Sequence, residues 1–241
     1  VQDIRAAHPD ALIDWVVEPA FAPLVRRVAG VNRVIECSLR RWRRGWWMPS
    51  VRAEWRAFRA ALQQEQYDAI IDLQGLTKSA LVARLARGTR FGLGNQTEGS
   101  SYEAPAGWLV DHAIRAEPHI HAMDRSRALV AAVLGKPPEG PAKYGLNPKQ
   151  RVFRTATPTV AFVHGTSRDD KLWPTDHWVQ LGKRVIDAGW RIALPQGNEM
   201  EQTRAEMIAA GLQFEKAFHV DVWPSLGLDA VLDRLALTQG V

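Results

Sequence analysis

The run from Thr159 to Ile186 constrains the fold of this chain more than any other. Thr159-Val-Ala-Phe-Val163 is a short apolar stretch that reads as a buried strand. A polar loop follows, His164-Gly-Thr-Ser-Arg-Asp-Asp-Lys-Leu-Trp-Pro174. Beyond Pro174, the residues Trp178, Leu181, Val185 and Ile186 fall on one face of a helix. Strand, polar loop and helix in that order place a ligand at the carboxyl end of a parallel sheet. The loop supplies two adjacent hydroxyls, Thr166 and Ser167, and a cation, Lys171, beside the unpaired amides of a helix start. Such amides and the helix dipole favour an anion. The loop reads as a phosphate site, although no Gly-rich phosphate fingerprint accompanies it and an ordinary loop with a solvated lysine stays open.

The same alternation runs through the rest of the chain. Strands are expected at 11–17, 33–36, 68–73, 90–93, 159–163, 191–194 and weakly at 214–220; helices at 21–28, 49–64, 77–86, 121–134, 174–188, 199–210 and 225–237. Residues 94–107, rich in Gly, Ser and Asn, read as a loop. Gly135-Lys-Pro-Pro-Glu-Gly-Pro141 is the strongest punctuation and opens a weakly periodic stretch to Pro158. The expected architecture is therefore α/β: two doubly wound, Rossmann-like domains, 1–145 and 146–241, facing a cleft. The first residues begin inside a helical pattern, and Thr-Gln-Gly-Val241 stops where a strand would start. The chain reads as a segment cut at both ends.

Composition narrows the function. A net charge of +5 and a pI near 9.6 favour an anionic partner. The single cysteine, Cys37, leaves no internal disulfide framework and fits a reducing compartment. No apolar run approaches the roughly 18 residues that span a bilayer. Between Arg40 and Arg59 seven arginines (40, 41, 43, 44, 52, 56 and 59) stand against one acid, Glu54, with Trp42, Trp46, Trp47 and Trp55 among them. Arginine binds phosphate and carboxylate in a bidentate manner. Two readings stay open: arginines on nucleic-acid phosphates with tryptophans stacking on bases, or arginines on anionic lipid headgroups with tryptophans at the membrane interface. In the loop Leu194-Pro-Gln-Gly-Asn-Glu-Met-Glu201, an acid after a strand could hold ribose hydroxyls, while Glu199, Glu201 and Glu206 are also ordinary helix-start acids. His112, His119 and His121 lack the spacing of metal ligands, and no metal is expected.

Four segments carry a family likeness. Asp14-Trp-Val-Val-Glu18, Arg40-Arg-Trp-Arg-Arg44, Tyr67-Asp-Ala-Ile-Ile-Asp-Leu-Gln-Gly-Leu-Thr-Lys-Ser79 and Thr166-Ser-Arg-Asp-Asp-Lys-Leu-Trp-Pro174 resemble the ADP-heptose:lipopolysaccharide heptosyltransferase family. The Arg-Trp cluster is closest to its heptosyltransferase I members. The resemblance implies a two-domain glycosyltransferase type B fold and inverting transfer of L-glycero-D-manno-heptose from an ADP-sugar to Kdo of the lipid A inner core, with no metal or other cofactor. It implies that Thr166, Ser167 and Lys171 hold the donor diphosphate, Lys171 also stabilising the leaving group, and that Glu201 binds the adenosine end. Arg40, Arg41, Arg43, Arg44 and Lys78 would receive the acceptor's phosphates and carboxylates. Where the family has a further arginine after Gln-Thr, this chain has Glu98-Gly99. The resemblance places the aspartate general base before Val1 and an Asp-Ser/Thr-Gly-Leu-Ser-His motif after Val241, so the chain as given is expected to be inactive. It further implies an enzyme at the cytoplasmic face of a bacterial inner membrane, peripherally bound, that uses no nucleic acid. Against it stand a basic nucleic-acid-binding module and a transferase of another nucleotide sugar.

Overall fold

The computed structural model describes residues 1–149, 157–166, 168–212 and 219–241. Contacts divide the chain into two units, Val1–Leu146 and Asn147–Val241. Both are α/β with parallel strands only, as the alternation of strands and helices requires. No helix among the described residues is long and apolar enough to cross a membrane.

The first unit opens with α1 (Gln2–Ala7), β1 (Asp14–Val17), α2 (Ala22–Val25) and β2 (Arg33–Glu36), and continues through α3 (Leu39–Gly45) and α4 (Pro49–Leu62). Then come β3 (Gln66–Asp72), α5 (Thr77–Ala83), β4 (Arg87–Leu93), α6 (Ala104–Trp108), β5 (His112–Ile114) and α7 (Ala122–Leu134). Its strands form two parallel sheets, β1-β2 and β3-β4-β5. A polar clamp joins them: the Asp14 carboxylate accepts from Tyr67 Oη at 2.6 Å and from Arg33 Nε at 2.9 Å. Ile35, Cys37, Trp42, Val51, Phe58 and Leu62 form the core that seats α3 and α4 on β2. Phe58, 4% exposed, is central to it, and truncating such a ring to alanine costs about 3–5 kcal/mol.

Three elements here were not expected from the sequence. The arginine cluster lies on a helix of its own, α3, and part of the stretch read as loop forms α6. Strand β5 has only three residues, two of them exposed, too short for an alternating pattern to show.

The second unit is wound on both faces. It comprises β6 (Thr159–Ala161), α8 (Thr175–Asp187), β7 (Arg191–Leu194), α9 (Glu199–Leu212), β8 (Val220–Val222) and α10 (Leu228–Leu235). The sheet order is β6-β7-β8, and Gly240 bridges to the free edge of β6, where Ala161 N–H donates to its carbonyl at 2.9 Å. Alternating residues bury to opposite sides. Phe162, Ile192 and Leu194 pack on α8 and α9, whereas Ala161 and Ala193 meet Trp223 and the partly buried α10 residues Val231 and Leu235. Helices α8 and α9 approach closely at two glycines. A Cβ on Gly211 would stand 2.6 Å from Val179 Cγ2, and one on Gly182 2.8 Å from Leu212 Cδ2. Of the weak strand expected over 214–220, residues 214–218 lie outside the described residues, and the strand runs from Val220 to Val222.

Candidate active site

In the second unit the chain leaves β6 for β7 on one side, then returns after α10 to the other side of β6 at Gly240. The carboxyl end of β6 is therefore the point where the winding reverses, the place where open α/β sheets bind ligands. His164, Gly165 and Thr166 lie there. Thr166 is exposed, and Ser167 lies outside the described residues. A 3₁₀ turn, Asp169–Lys171, carries Lys171 into solvent, with no acid among the described residues paired to it. The neighbouring acid Asp170 is already engaged, accepting from Arg168 Nε at 2.9 Å and Nη2 at 2.5 Å. The loop is anchored on the core through rings: Trp173 packs edge-on to Trp178, and Trp178 packs against buried Phe162, each pair 5.0 Å apart.

Glu201 sits on α9 in the helix's first turn, where the Asn198 side chain accepts from its N–H at 2.9 Å. Its carboxylate accepts from Gly197 N–H at 2.7 Å and lies against Gly165. One acid thus touches the loops after both β6 and β7. A Cβ on Gly165 would stand 2.8 Å from the Glu201 carboxyl carbon, so this close approach needs glycine. Thr166, Lys171 and Glu201 share the carboxyl edge of the sheet.

Two further residues at this edge were not singled out as site residues. His164 is 3% exposed, and both its ring nitrogens are buried without a hydrogen-bond partner. Burial lowers its pKa below the ordinary value, and the Arg204 charge adds to the effect; Glu201 and the nearby Pro195 carbonyl oppose it, the latter outside hydrogen-bond geometry. Arg204 donates to the Trp173 carbonyl from Nη2, tying α9 to the loop after β6. Its place one turn after Glu201, on the same face of α9, was the available signal.

In the first unit the basic residues also follow strand ends. Helix α3 comes directly after β2, and its buried side is Trp42 and Gly45. At about 100° per residue, Arg40, Arg43 and Arg44 then point away from the core. They are exposed and make no ion pair among the described residues. Arg41 differs: it is clamped by Glu54, with Nη2 at 2.9 Å and Nε at 3.1 Å, and Glu54 also accepts from Trp42 Nε1 at 3.3 Å. That hydrogen bonding raises the Arg41 pKa and lowers that of Glu54. The tryptophans divide as well. Trp42 is buried and Trp55 packs edge-on to it at 5.3 Å, while Trp46 and Trp47 are exposed.

Lys78 stands in the first turn of α5, after β3. The turn before it needs Gly75 at φ +69°, and buried Asp72 holds that turn by accepting from Gln74 N–H at 2.9 Å and Ser79 Oγ at 2.8 Å. Burial pushes the Asp72 carboxyl up against those hydrogen bonds. Burial also pushes the Cys37 thiol up to about 11, an effect that Glu18 reinforces and Lys78 opposes. The α5 amide Thr77 N–H is occupied, donating to Glu103 at 2.8 Å.

The three histidines have other partners. His112 stacks on Phe91, His119 meets Glu98 at 3.3 Å, and His121 caps α7 by accepting from Met123 N–H. Among the described residues no three His, Cys, Asp or Glu side chains gather as a metal would require.

The chain is similar to proteins of known kind. Lipopolysaccharide heptosyltransferase 1 of Escherichia coli (strain K12) is 40% identical, with 97% of this chain and 72% of that protein covered. The E. coli heptosyltransferase WaaC solved with ADP has the same fold, at a TM-score of 0.84 and 35% identity over 99% of this chain and 73% of that one. The same enzyme with ADP-2-deoxy-2-fluoro heptose gives a TM-score of 0.82, covering 99% of this chain and 74% of that one. The sequence model of glycosyltransferase family 9 (heptosyltransferase) matches residues 55–241. This chain belongs to glycosyltransferase family 9, the heptosyltransferases.

Proposed function

We propose that this heptosyltransferase moves L-glycero-D-manno-heptose from its ADP-sugar to Kdo of the lipid A inner core, with inversion and without a metal. The observation that carries the donor half is the carboxyl edge of β6 and β7: Glu201 touches the loops after both strands, and the loop after β6 carries Thr166 and an exposed Lys171. The similar E. coli enzyme, solved with ADP and with ADP-2-deoxy-2-fluoro heptose, supports an ADP-sugar at this edge.

In this reading the acceptor hydroxyl oxygen attacks the anomeric carbon as the bond to the β-phosphate oxygen breaks; the hydroxyl proton passes to a carboxylate base, and ADP departs from the opposite face. Negative charge grows on the diphosphate. Lys171 and the hydroxyls of Thr166 and Ser167 stabilise that charge electrostatically. Glu201 orients the nucleoside end through its free carboxylate oxygen. Arg40, Arg43, Arg44 and Lys78 receive the acceptor's anionic groups, and Arg41, held by Glu54, steadies the helix that presents them. The reading assigns no general base to residues 1–241. It places the enzyme at the cytoplasmic face of the inner membrane, bound peripherally.

Retention on ADP-agarose that free ADP displaces is the expected result. Salt-sensitive binding to single-stranded DNA with no affinity for ADP would overturn this reading in favour of a nucleic-acid-binding module.

A further inference from the structure

The turn joining α3 to α4 exposes three large apolar side chains in a row: Trp46 at 52%, Trp47 at 75% and Met48 at 45%. Neither core contact nor the acceptor reading explains them. Trp46 meets Trp55 only edge-on at 6.1 Å, and Trp47 makes no ring contact. One turn beyond Met48, α4 carries a second basic row. Arg52, Arg56 and Arg59 are spaced so as to share one helix face, away from buried Val51, Phe58 and Leu62. All three are exposed and, among the described residues, without an ion pair; Arg56 Nε donates to the Arg52 carbonyl at 3.4 Å. The only acid between Arg40 and Arg59, Glu54, is taken by Arg41.

We propose that Trp46, Trp47 and Met48 insert into the interface of an anionic bilayer, with Arg52, Arg56 and Arg59 on its phosphate headgroups, as a docking surface separate from the acceptor-binding arginines of α3. This rests on the peripheral location read above and names the residues responsible. Indole rings partition to the boundary between headgroup and hydrocarbon, and clustered arginines beside them add attraction to an anionic leaflet. A single-stranded nucleic acid fits less well. Of the four tryptophans in the basic segment, Trp42 is buried and Trp55 is packed on it, so no series of open rings follows the charges. A methionine beside two adjacent indoles serves lipid insertion, not base stacking.

The test mixes the whole chain with vesicles of phosphatidylglycerol and phosphatidylethanolamine in equal parts, or of phosphatidylcholine alone, without acceptor or sugar nucleotide. The chain should sediment with the anionic vesicles only. W46S/W47S should bind them at least about ten-fold less, and R52Q/R56Q/R59Q should lose most of the salt-sensitive part. Equal binding to both vesicles overturns the proposal. So does wild-type binding by the tryptophan variant, or a variant that keeps vesicle binding and loses single-stranded DNA binding. A second readout uses the unaltered chain: brominated lipids should quench its fluorescence more than that of W46F/W47F, and equal quenching overturns insertion. W46S/W47S should keep wild-type affinity for ADP and for a deacylated, lipid-free acceptor; equal loss toward that acceptor would put the tryptophans in the acceptor site and overturn the proposal. If the unaltered chain fails to bind ADP yet shows the vesicle pattern, the proposed function fails and the docking surface stands.

Discussion

Glu201 lies against Gly165, its carboxyl carbon 2.8 Å from where a Cβ on that glycine would stand. The contact joins two loops that the sequence keeps far apart, and the glycine is what permits it. Gly165→Ala should displace the Glu201 carboxylate while leaving the fold intact, because the clash is with a side chain that can rotate away. ADP affinity should fall about ten-fold or more, the scale of one lost charged hydrogen bond. Glu201→Gln should fall by a similar amount, and the double variant should lose little beyond either single one. Calorimetric titration with ADP checks this; additive losses would show that the two residues act independently.

Lys171 is exposed and unpaired, which suits a cation awaiting an anion. In the active enzyme, Lys171→Ala should lower kcat by about 10²-fold, the effect of removing one preorganised charge donor. Steady-state kinetics decide the role. A change confined to KM would assign Lys171 to ground-state binding.

The structure separates Arg41 from its neighbours, since Glu54 holds it and leaves the others free. Replacing Arg40 and Arg43 with alanine should weaken acceptor binding by about a hundred-fold or more, from about 1.5–3 kcal/mol per charged hydrogen bond lost, and leave ADP affinity unchanged. Arg41→Ala should weaken acceptor binding much less. Separate titrations of donor and acceptor test this; equal loss for both ligands would remove the arginines from the acceptor site.

His164 is buried with its pKa lowered by burial and by Arg204. A group whose folded pKa lies below its unfolded value supports folding above the unfolded pKa, near 6.5, and that support is lost as pH falls through the folded pKa. The melting temperature should therefore drop between pH 7.5 and 5.5, and His164→Gln should flatten part of that drop. An unchanged slope in the variant would mean that His164 does not titrate across this range.

The alternation of apolar runs and helical faces was enough to read the α/β class, because buried parallel strands such as Arg191–Leu194 and amphipathic helices such as Thr175–Asp187 write different periods. The place of the polar loop after β6, between a strand and a helix, was legible for the same reason. Residue types alone could not show the division of labour within the arginine segment. Whether Trp42 faces the core and Trp47 the solvent depends on α3, whose seven residues are too few for a hydrophobic period to stand out. Nor does sequence separation reveal that Arg204 reaches back to Trp173. The role of His164 depends on burial, and histidine carries no pattern that announces it.

Helix α3 is only seven residues long, too short to persist by itself. Trp42, wedged against Trp55 and Phe58, is what keeps it wound. The spacing between outward charges on that helix is consequently a property of the oily interior beneath it. Packing changes at Phe58 or Leu62, which no sugar or phosphate ever meets, would retune the ruler against which an anionic ligand is measured. A lineage adapting to a differently decorated ligand has two routes open, exchanging the arginines themselves or shifting the peg that mounts them.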